Sequence, residues 1–211
     1  MYTQAYQHIM KFWGFERGIS HYLKELPLPV YDAPKILDLG CGTWVAWLTL
    51  RERFWSGEVV FTDIQEQYVL DALRKWNEKW YVVQAWIWDI SFPEKVQMIQ
   101  NNVTEKICSL LDSESFDIVV MWGVLGYSQN QYYTIEAVSK LLKKGGTLIN
   151  LEMTSGIIGS LVGMKYGYYA LPISQIVDHV GQYVWRVMEV PFSLGDFPAQ
   201  FTRVGIVAQK D

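Results

Sequence analysis

The feature that most limits how this chain can fold is the run KILDLGCGTW at Lys35–Trp44. Lys35–Leu39 is a short apolar segment that ends at Gly40, with Gly42 two residues on. An apolar run of that length, bounded by glycine, reads as a strand buried on both faces. Glycine is needed where the backbone takes positive φ or lies against a ligand. A helix is predicted next, over Ala46–Phe54. Strand, glycine turn and helix in that order form the opening unit of a parallel sheet covered by helices.

The same alternation recurs along the chain. Residues 5–26 carry Ile9, Phe12, Phe15, Ile19 and Leu23 at three- and four-residue spacings and predict a helix, after which Pro27, Pro29 and Pro34 break the chain. Strands are predicted at Glu58–Thr62, Tyr81–Trp88, Phe116–Trp122 and Thr147–Met153. Helices are predicted at Glu66–Lys79, within 93–111, and at Gln131–Leu142. Lys143 to Gly146 read as the positive end and glycine stop of that last helix. Gly156–Pro172 reads as a flexible apolar insertion, with Lys165 near its middle and too little length for a membrane-spanning helix. A short helix over Ser174–His179 and two strands, Tyr183–Pro191 and Phe201–Gln209, complete the pattern. No helix separates those two strands, so they are predicted to be antiparallel.

The length of 211 residues suits one domain with a sizeable core, and a chain that is half hydrophobic is not mainly disordered. Two cysteines are too few for a disulfide framework. The net charge of −4 speaks against a nucleic-acid binder, which carries a basic stripe. The N-terminus lacks the charged start and apolar run of a signal peptide, so a cytoplasmic location is expected. His8, His21 and His179 show no metal-ligand spacing, and no metal is expected.

Three acidic residues stand at or near strand ends: Asp38, Asp63 and Asp89. Open α/β sheets bind nucleotides at the carboxyl ends of their strands, and a carboxylate there accepts both hydroxyl hydrogens of a ribose. Each has a plainer reading too. Asp38 can hold its own turn, Asp63 can cap the next helix, and Asp89 can sit in a turn before Phe92 and Pro93.

Five pieces in this order resemble the class I S-adenosylmethionine-dependent methyltransferases of the small-molecule type. They are DLGCGT at Asp38–Thr43, VVFTD at Val59–Asp63, WIWDI at Trp86–Ile90, FDIVVMWGVLGY at Phe116–Tyr127 and LLKKGGTLINLE at Leu141–Glu152. The resemblance implies a Rossmann-like, doubly wound, seven-stranded α/β sheet, mostly parallel with an antiparallel last strand pair. It implies one methyltransferase-like domain over 1–211, with residues 1–30 as an N-terminal helical lid and 154–181 as an apolar insertion over the acceptor site. S-adenosylmethionine is the implied cofactor. Asp38, Gly40, Cys41, Gly42 and Trp44 would surround its methionine part, Asp63 its ribose, Ile64, Asp89 and Ile90 its adenine, and Met121, Trp122 and Gly123 its methyl end. Tyr6, His8 and Tyr127 would meet the acceptor. No catalytic residue is assigned, because a sulfonium is already an activated leaving group.

The family has a small residue where this chain has Trp44. An indole there can point away, cap the pocket with its face towards the sulfonium, or fill the pocket. The last placement would leave a methyltransferase-like scaffold without cofactor binding, which is the alternative to methyl transfer. A nicotinamide-dependent oxidoreductase is disfavoured, since position 45 is Val where the dinucleotide fingerprint needs Gly. The Asn–Pro–Pro–aromatic signature of amino-methylating nucleic-acid enzymes is absent after Phe116–Trp122. The expected acceptor is therefore a small or lipophilic molecule, with no nucleic acid and no membrane span. Peripheral membrane contact and oligomeric state are left open.

Overall fold

The structure is a computed structural model of the chain, and it describes residues 11–42, 45–54, 56–75, 81–88, 96–100, 103–107, 114–154, 156–183 and 185–211. Its frame is a single mixed sheet. The strands are β1 (Lys35–Leu39), β2 (Gly57–Asp63), β3 (Tyr81–Trp88), β4 (Val96–Gln100), β5 (Val103–Ile107), β6 (Phe116–Trp122), β7 (Leu142–Met153), β8 (Trp185–Val190) and β9 (Arg203–Lys210). They lie in the order β5-β4-β3-β2-β1-β6-β7-β9-β8. β3, β2, β1, β6 and β7 run parallel, while β4, β5 and the β9–β8 pair join antiparallel.

Six helices accompany the sheet among the described residues: α1 (Phe15–Glu25), α2 (Val45–Arg51), α3 (Glu66–Lys75), α4 (Gln131–Leu141), α5 (Ile157–Tyr166) and α6 (Ile173–Gly181). The central strands are buried on both faces, as their unbroken apolar runs require. Ile36, Val59, Phe61, Ile118, Val120 and Ile149 point to one side, where α1 contributes Ile19 and Leu23. Leu37, Leu39, Val60, Val119 and Leu148 point to the other, where α4 contributes Ile135 and Val138 and α6 contributes Ile176 and Val180. The period of two along each strand thus feeds two cores at once.

Three expectations need correction. The sheet has nine strands among the described residues, not seven. The extra pair is β4–β5, in a segment read as helical; it pairs as an antiparallel ladder from Val96↔Ile107 to Gln100↔Val103. Lys143 to Gly146 do not stop a helix. α4 ends in an extended Leu142, and Gly145 at φ 76 belongs to β7 where its pairing jumps from Phe116↔Leu142 to Ile118↔Thr147. This is a bulge, and positive φ is its usual demand on glycine. The 156–172 stretch, read as a flexible apolar insertion, contains the three-turn α5. The antiparallel last pair, β8–β9, is found as expected. No helix among the described residues is long and apolar enough to cross a membrane.

Candidate functional site

β1 lies between β2 and β6, and both neighbours run parallel to it. The chain leaves β1 towards β2 on one side, while β6 continues to β7 on the other. That reversal opens a crevice at the carboxyl ends of β1 and β6. The β1 turn enters it with Gly40 at φ 67 and Gly42 at φ 42. A Cβ at Gly40 would lie 2.6 Å from Val124 Cγ2, so a side chain there meets both strain and a wall. The turn is tied to β2: Cys41 N donates to Thr62 O at 2.7 Å, and Thr62 Oγ1 donates to Asp38 O at 3.1 Å. Gly40→Ala is expected to lower both stability and affinity for S-adenosylhomocysteine, with the melting temperature falling by several degrees. Paired melting curves and titrations check this; an unchanged variant would show that the turn tolerates a side chain.

Asp63 ends β2 and does two jobs. Gly42 N donates to its Oδ2 at 3.1 Å, and Gln65 N donates to its Oδ1 at 2.9 Å, just before α3 begins. The carboxylate therefore joins the glycine turn to the start of the helix. Asp38 is buried, and its Oδ2 has no hydrogen-bond partner among the described residues. Burial, and secondarily the neighbouring Asp63, push its pKa up to about 7. Burial raises Asp63 as well, while the Gln65 and Gly42 amides hold it down. Cys41 is buried between them, and burial with Asp38 and Asp63 drives its thiol pKa well above the ordinary value. It is a packed thiol, not a nucleophile.

These groups fit S-adenosylmethionine. An orphaned buried carboxyl oxygen calls for a donor or a cation, Asp63 offers acceptors for ribose hydroxyls, and the Gly40–Gly42 backbone permits close approach. Exposed Ile64 stands beside Asp63 as an apolar surface for a base. On β6 the placements differ. Met121 is fully buried in the α4-side core, so its side chain packs there. Trp122 is partly buried on the α1 side, and Gly123 turns at φ 60 with its N–H donating to Leu151 O at 2.7 Å. Tyr127 is partly exposed and meets Tyr168 edge-on at 5.0 Å. Tyr6, His8, Trp44, Asp89 and Ile90 lie outside the described residues.

The sequence reading missed a second polar group beside the β6 end. Glu152, near the end of β7, is buried and accepts a 3.3 Å hydrogen bond from Leu125 N. Burial pushes its pKa up to about 8, against the opposing pull of Arg203. Arg203 opens β9 opposite Met153, is buried, and leaves Nε and Nη1 without hydrogen-bond partners among the described residues. A Cβ on Gly123 would sit 3.0 Å from that Nη1. Tyr168 packs its ring against Gly126, and its buried hydroxyl has no hydrogen-bond partner among the described residues. The one advance signal was Asn150 and Glu152 alternating inside the otherwise apolar run 148–153 of β7, where buried polar groups demand a reason.

Residues 32–160 match the methyltransferase domain family. Among curated proteins, the hybrid PKS-NRPS synthetase apdA of Emericella nidulans is 26% identical over 75% of this chain. The chain spans only 4% of that protein's length. Among solved structures, an O-methyltransferase family protein from Burkholderia thailandensis superposes with a TM-score of 0.70 at 15% identity, over 98% of this chain and 60% of that one. Magnesium protoporphyrin IX methyltransferase from Synechocystis, with bound SAH, gives 0.65 at 15% identity, over 100% of this chain and 89% of its own. The chain belongs to the methyltransferase domain family and has the fold of the S-adenosylmethionine-dependent enzymes.

Proposed function

We propose that this enzyme transfers a methyl group from S-adenosylmethionine to a small, lipophilic acceptor. The observation that carries the reading is the pair Asp38 and Asp63 at the glycine turn: one carboxyl buried with a free oxygen, the other bridging Gly42 and Gln65. When bound, the cofactor supplies an electrophilic methyl on a sulfonium. Asp63 then holds ribose hydroxyls, and Asp38 faces the positive charge. Gly40 and Gly42 keep side chains out of the way, and Ile64 covers the base. The protein's remaining task is to align acceptor and methyl and to exclude water.

The acceptor end is built from β6 and the turn Leu125–Tyr127, with Tyr127 and Tyr168 as walls. Glu152 is the buried carboxyl at that end, and its raised pKa suits a group that takes or holds a proton near neutrality. Aromatic walls and an apolar α5 favour a lipophilic acceptor over a charged one. The scaffold alternative finds no support in the described site.

Calorimetric titration with S-adenosylhomocysteine, beside the Trp44→Gly variant, is the direct test. Micromolar binding by the unaltered protein is expected. Binding only by the variant would show that the indole occludes the pocket, and no binding by either folded protein would sink the cofactor reading. Labelled methyl transfer to phenols, quinols and lipid extracts then identifies the acceptor.

A further inference from the structure

Arg203 carries a buried charge that nothing among the described residues balances at contact distance. It is 6% exposed, it makes no salt bridge there, and its Nε and Nη1 find no hydrogen-bond partner. A guanidinium stays protonated, and burying one calls for an opposite charge or a set of acceptors. Its position shows where these come from. Arg203 opens β9 opposite Met153, the last residue of β7, and so stands at the carboxyl ends of the parallel strands. Its Nη1 lies over Gly123, where a Cβ would be only 3.0 Å away. Gly123 directly follows β6 and leads to the turn Leu125–Tyr127 at the acceptor end.

Glu152 reaches the same tip from the other face of the sheet. It pairs with Val204, in phase with Leu148 and Ile206 of the α4-side core, whereas Arg203 is in phase with Val207 of the α1-side core. Successive registers send the two side chains to opposite faces. Glu152 Oε1 accepts from Leu125 N and feels the charge of Arg203 without a contact pair. A base and a cation held apart select among acceptors. A phenol is methylated on the oxygen that loses the proton, and a cation there would hold the attacking lone pairs. A carbonyl compound loses its proton from carbon while the charge moves to oxygen. It needs a carboxylate at one point and donors at another.

We propose that Arg203 holds the enolate oxygen of a lipophilic carbonyl acceptor, while Glu152 takes the proton from the adjacent carbon. The proposal rests on the methyl-transfer reading and names the acceptor class for that site. The C–H electron pair becomes the enolate double bond, and the carbonyl π pair moves to the oxygen against the guanidinium. The enolate carbon then bonds to the methyl carbon. The bond from methyl to sulfur breaks, its electron pair stays on sulfur, and the carbonyl re-forms. Glu152 passes its proton to water. Such an acceptor is uncharged until deprotonated, which suits the Tyr127–Tyr168 walls.

The test is calorimetric titration of the protein loaded with S-adenosylhomocysteine. The probes are dimedone, a cyclic diketone that is an enolate at neutral pH, and dimethylcyclohexanone, its uncharged counterpart. Wild type is compared with Arg203→Met and Arg203→Lys, with melting curves and S-adenosylhomocysteine affinity as controls. Wild type is expected to prefer the enolate by about tenfold or more, Arg203→Met to lose the preference, and Arg203→Lys to keep part of it. Equal binding of the two probes by wild type overturns the proposal, and this arm stands even where a variant fails to fold. A folded Arg203→Met protein that keeps the preference overturns it as well. A fall of about tenfold or more in that variant's S-adenosylhomocysteine affinity also overturns it, in favour of a guanidinium that holds the cofactor's carboxylate. Labelled methyl transfer to dimedone gives a second readout: a methyl on carbon supports the proposal, and a methyl on oxygen overturns it. S-adenosylhomocysteine binding without the enolate preference removes this inference alone. No S-adenosylhomocysteine binding removes the methyl-transfer reading with it.

Discussion

Asp63→Ala is expected to weaken binding of S-adenosylhomocysteine by roughly a hundredfold to a thousandfold. Hydrogen bonds to a charged group are worth about 1.5–3 kcal/mol each, and Asp63 offers two oxygens to a ribose. Losing two bonds near the lower end of that range costs about 3–4 kcal/mol, and each 1.4 kcal/mol is about a factor of ten. The ligand-free protein also loses something. Gly42 N and Gln65 N donate to this carboxylate, so the glycine turn and the start of α3 loosen together. Asp63→Asn separates the two effects, because it keeps one acceptor oxygen for the backbone and discards the charge. Titration and melting curves on both variants read affinity and stability apart. A folded Asp63→Ala protein that binds the ligand as tightly as wild type would show that the ribose is held elsewhere. Asp38 supplies an internal check: Asp63 is one of the two causes raising its pKa, so that pKa falls in the variant.

The second large effect concerns Glu152 and pH. In the folded protein its pKa is about 8, against 4.5 for an unperturbed glutamate. Between those values the folded state keeps a proton that the unfolded chain has released. The stability linked to Glu152 is therefore fully present below about pH 4.5 and is lost as pH rises through about 8. Asp38 adds a loss of the same sign between 3.8 and about 7. A tenfold change in a proton's binding constant corresponds to about 1.4 kcal/mol, so the protein is expected to be several kcal/mol less stable at pH 8.5 than at pH 5 on account of these two groups. Glu152→Gln cannot ionise, so its urea midpoint should fall less over that range, by the Glu152 part. An equal pH dependence in the variant would remove Glu152 from the account.

The same substitution tests chemistry. If Glu152 takes the acceptor's proton, the wild-type rate climbs with pH through about 8. The Gln variant then loses about a hundredfold or more in kcat and also that rise, while S-adenosylhomocysteine affinity stays put. A lost rate with an unshifted pH profile would mark Glu152 as a positioning group for the Leu125–Tyr127 turn.

The parts legible in the sequence were those governed by local pattern. KILDL between a proline-broken segment and Gly40 specifies a buried strand wherever it is placed, and Gly40 and Gly42 mark a turn that side chains would strain. The acidic end of β2 was legible for the same reason, since Asp63 closes an apolar run just ahead of a helix. The β4–β5 hairpin was not. Five-residue segments such as VQMIQ and VTEKI carry too little pattern to separate strand from helix, and the neighbouring edge of β3 decides the matter. Nor did the sequence show that Gly156–Pro172 would order into α5, whose end docks through the glycine at 126 that admits the Tyr168 ring. The clearest case is Glu152 with Arg203. They stand 51 positions apart in the chain, and only the antiparallel β7–β9 register, with Glu152 opposite Val204 and Met153 opposite Arg203, buries a carboxyl and a guanidinium near one another. A local pattern fixes where a strand begins and ends. Which polar groups are stripped of water, and so acquire a shifted pKa and an unpaired oxygen or nitrogen, depends on neighbours that only the folded sheet supplies.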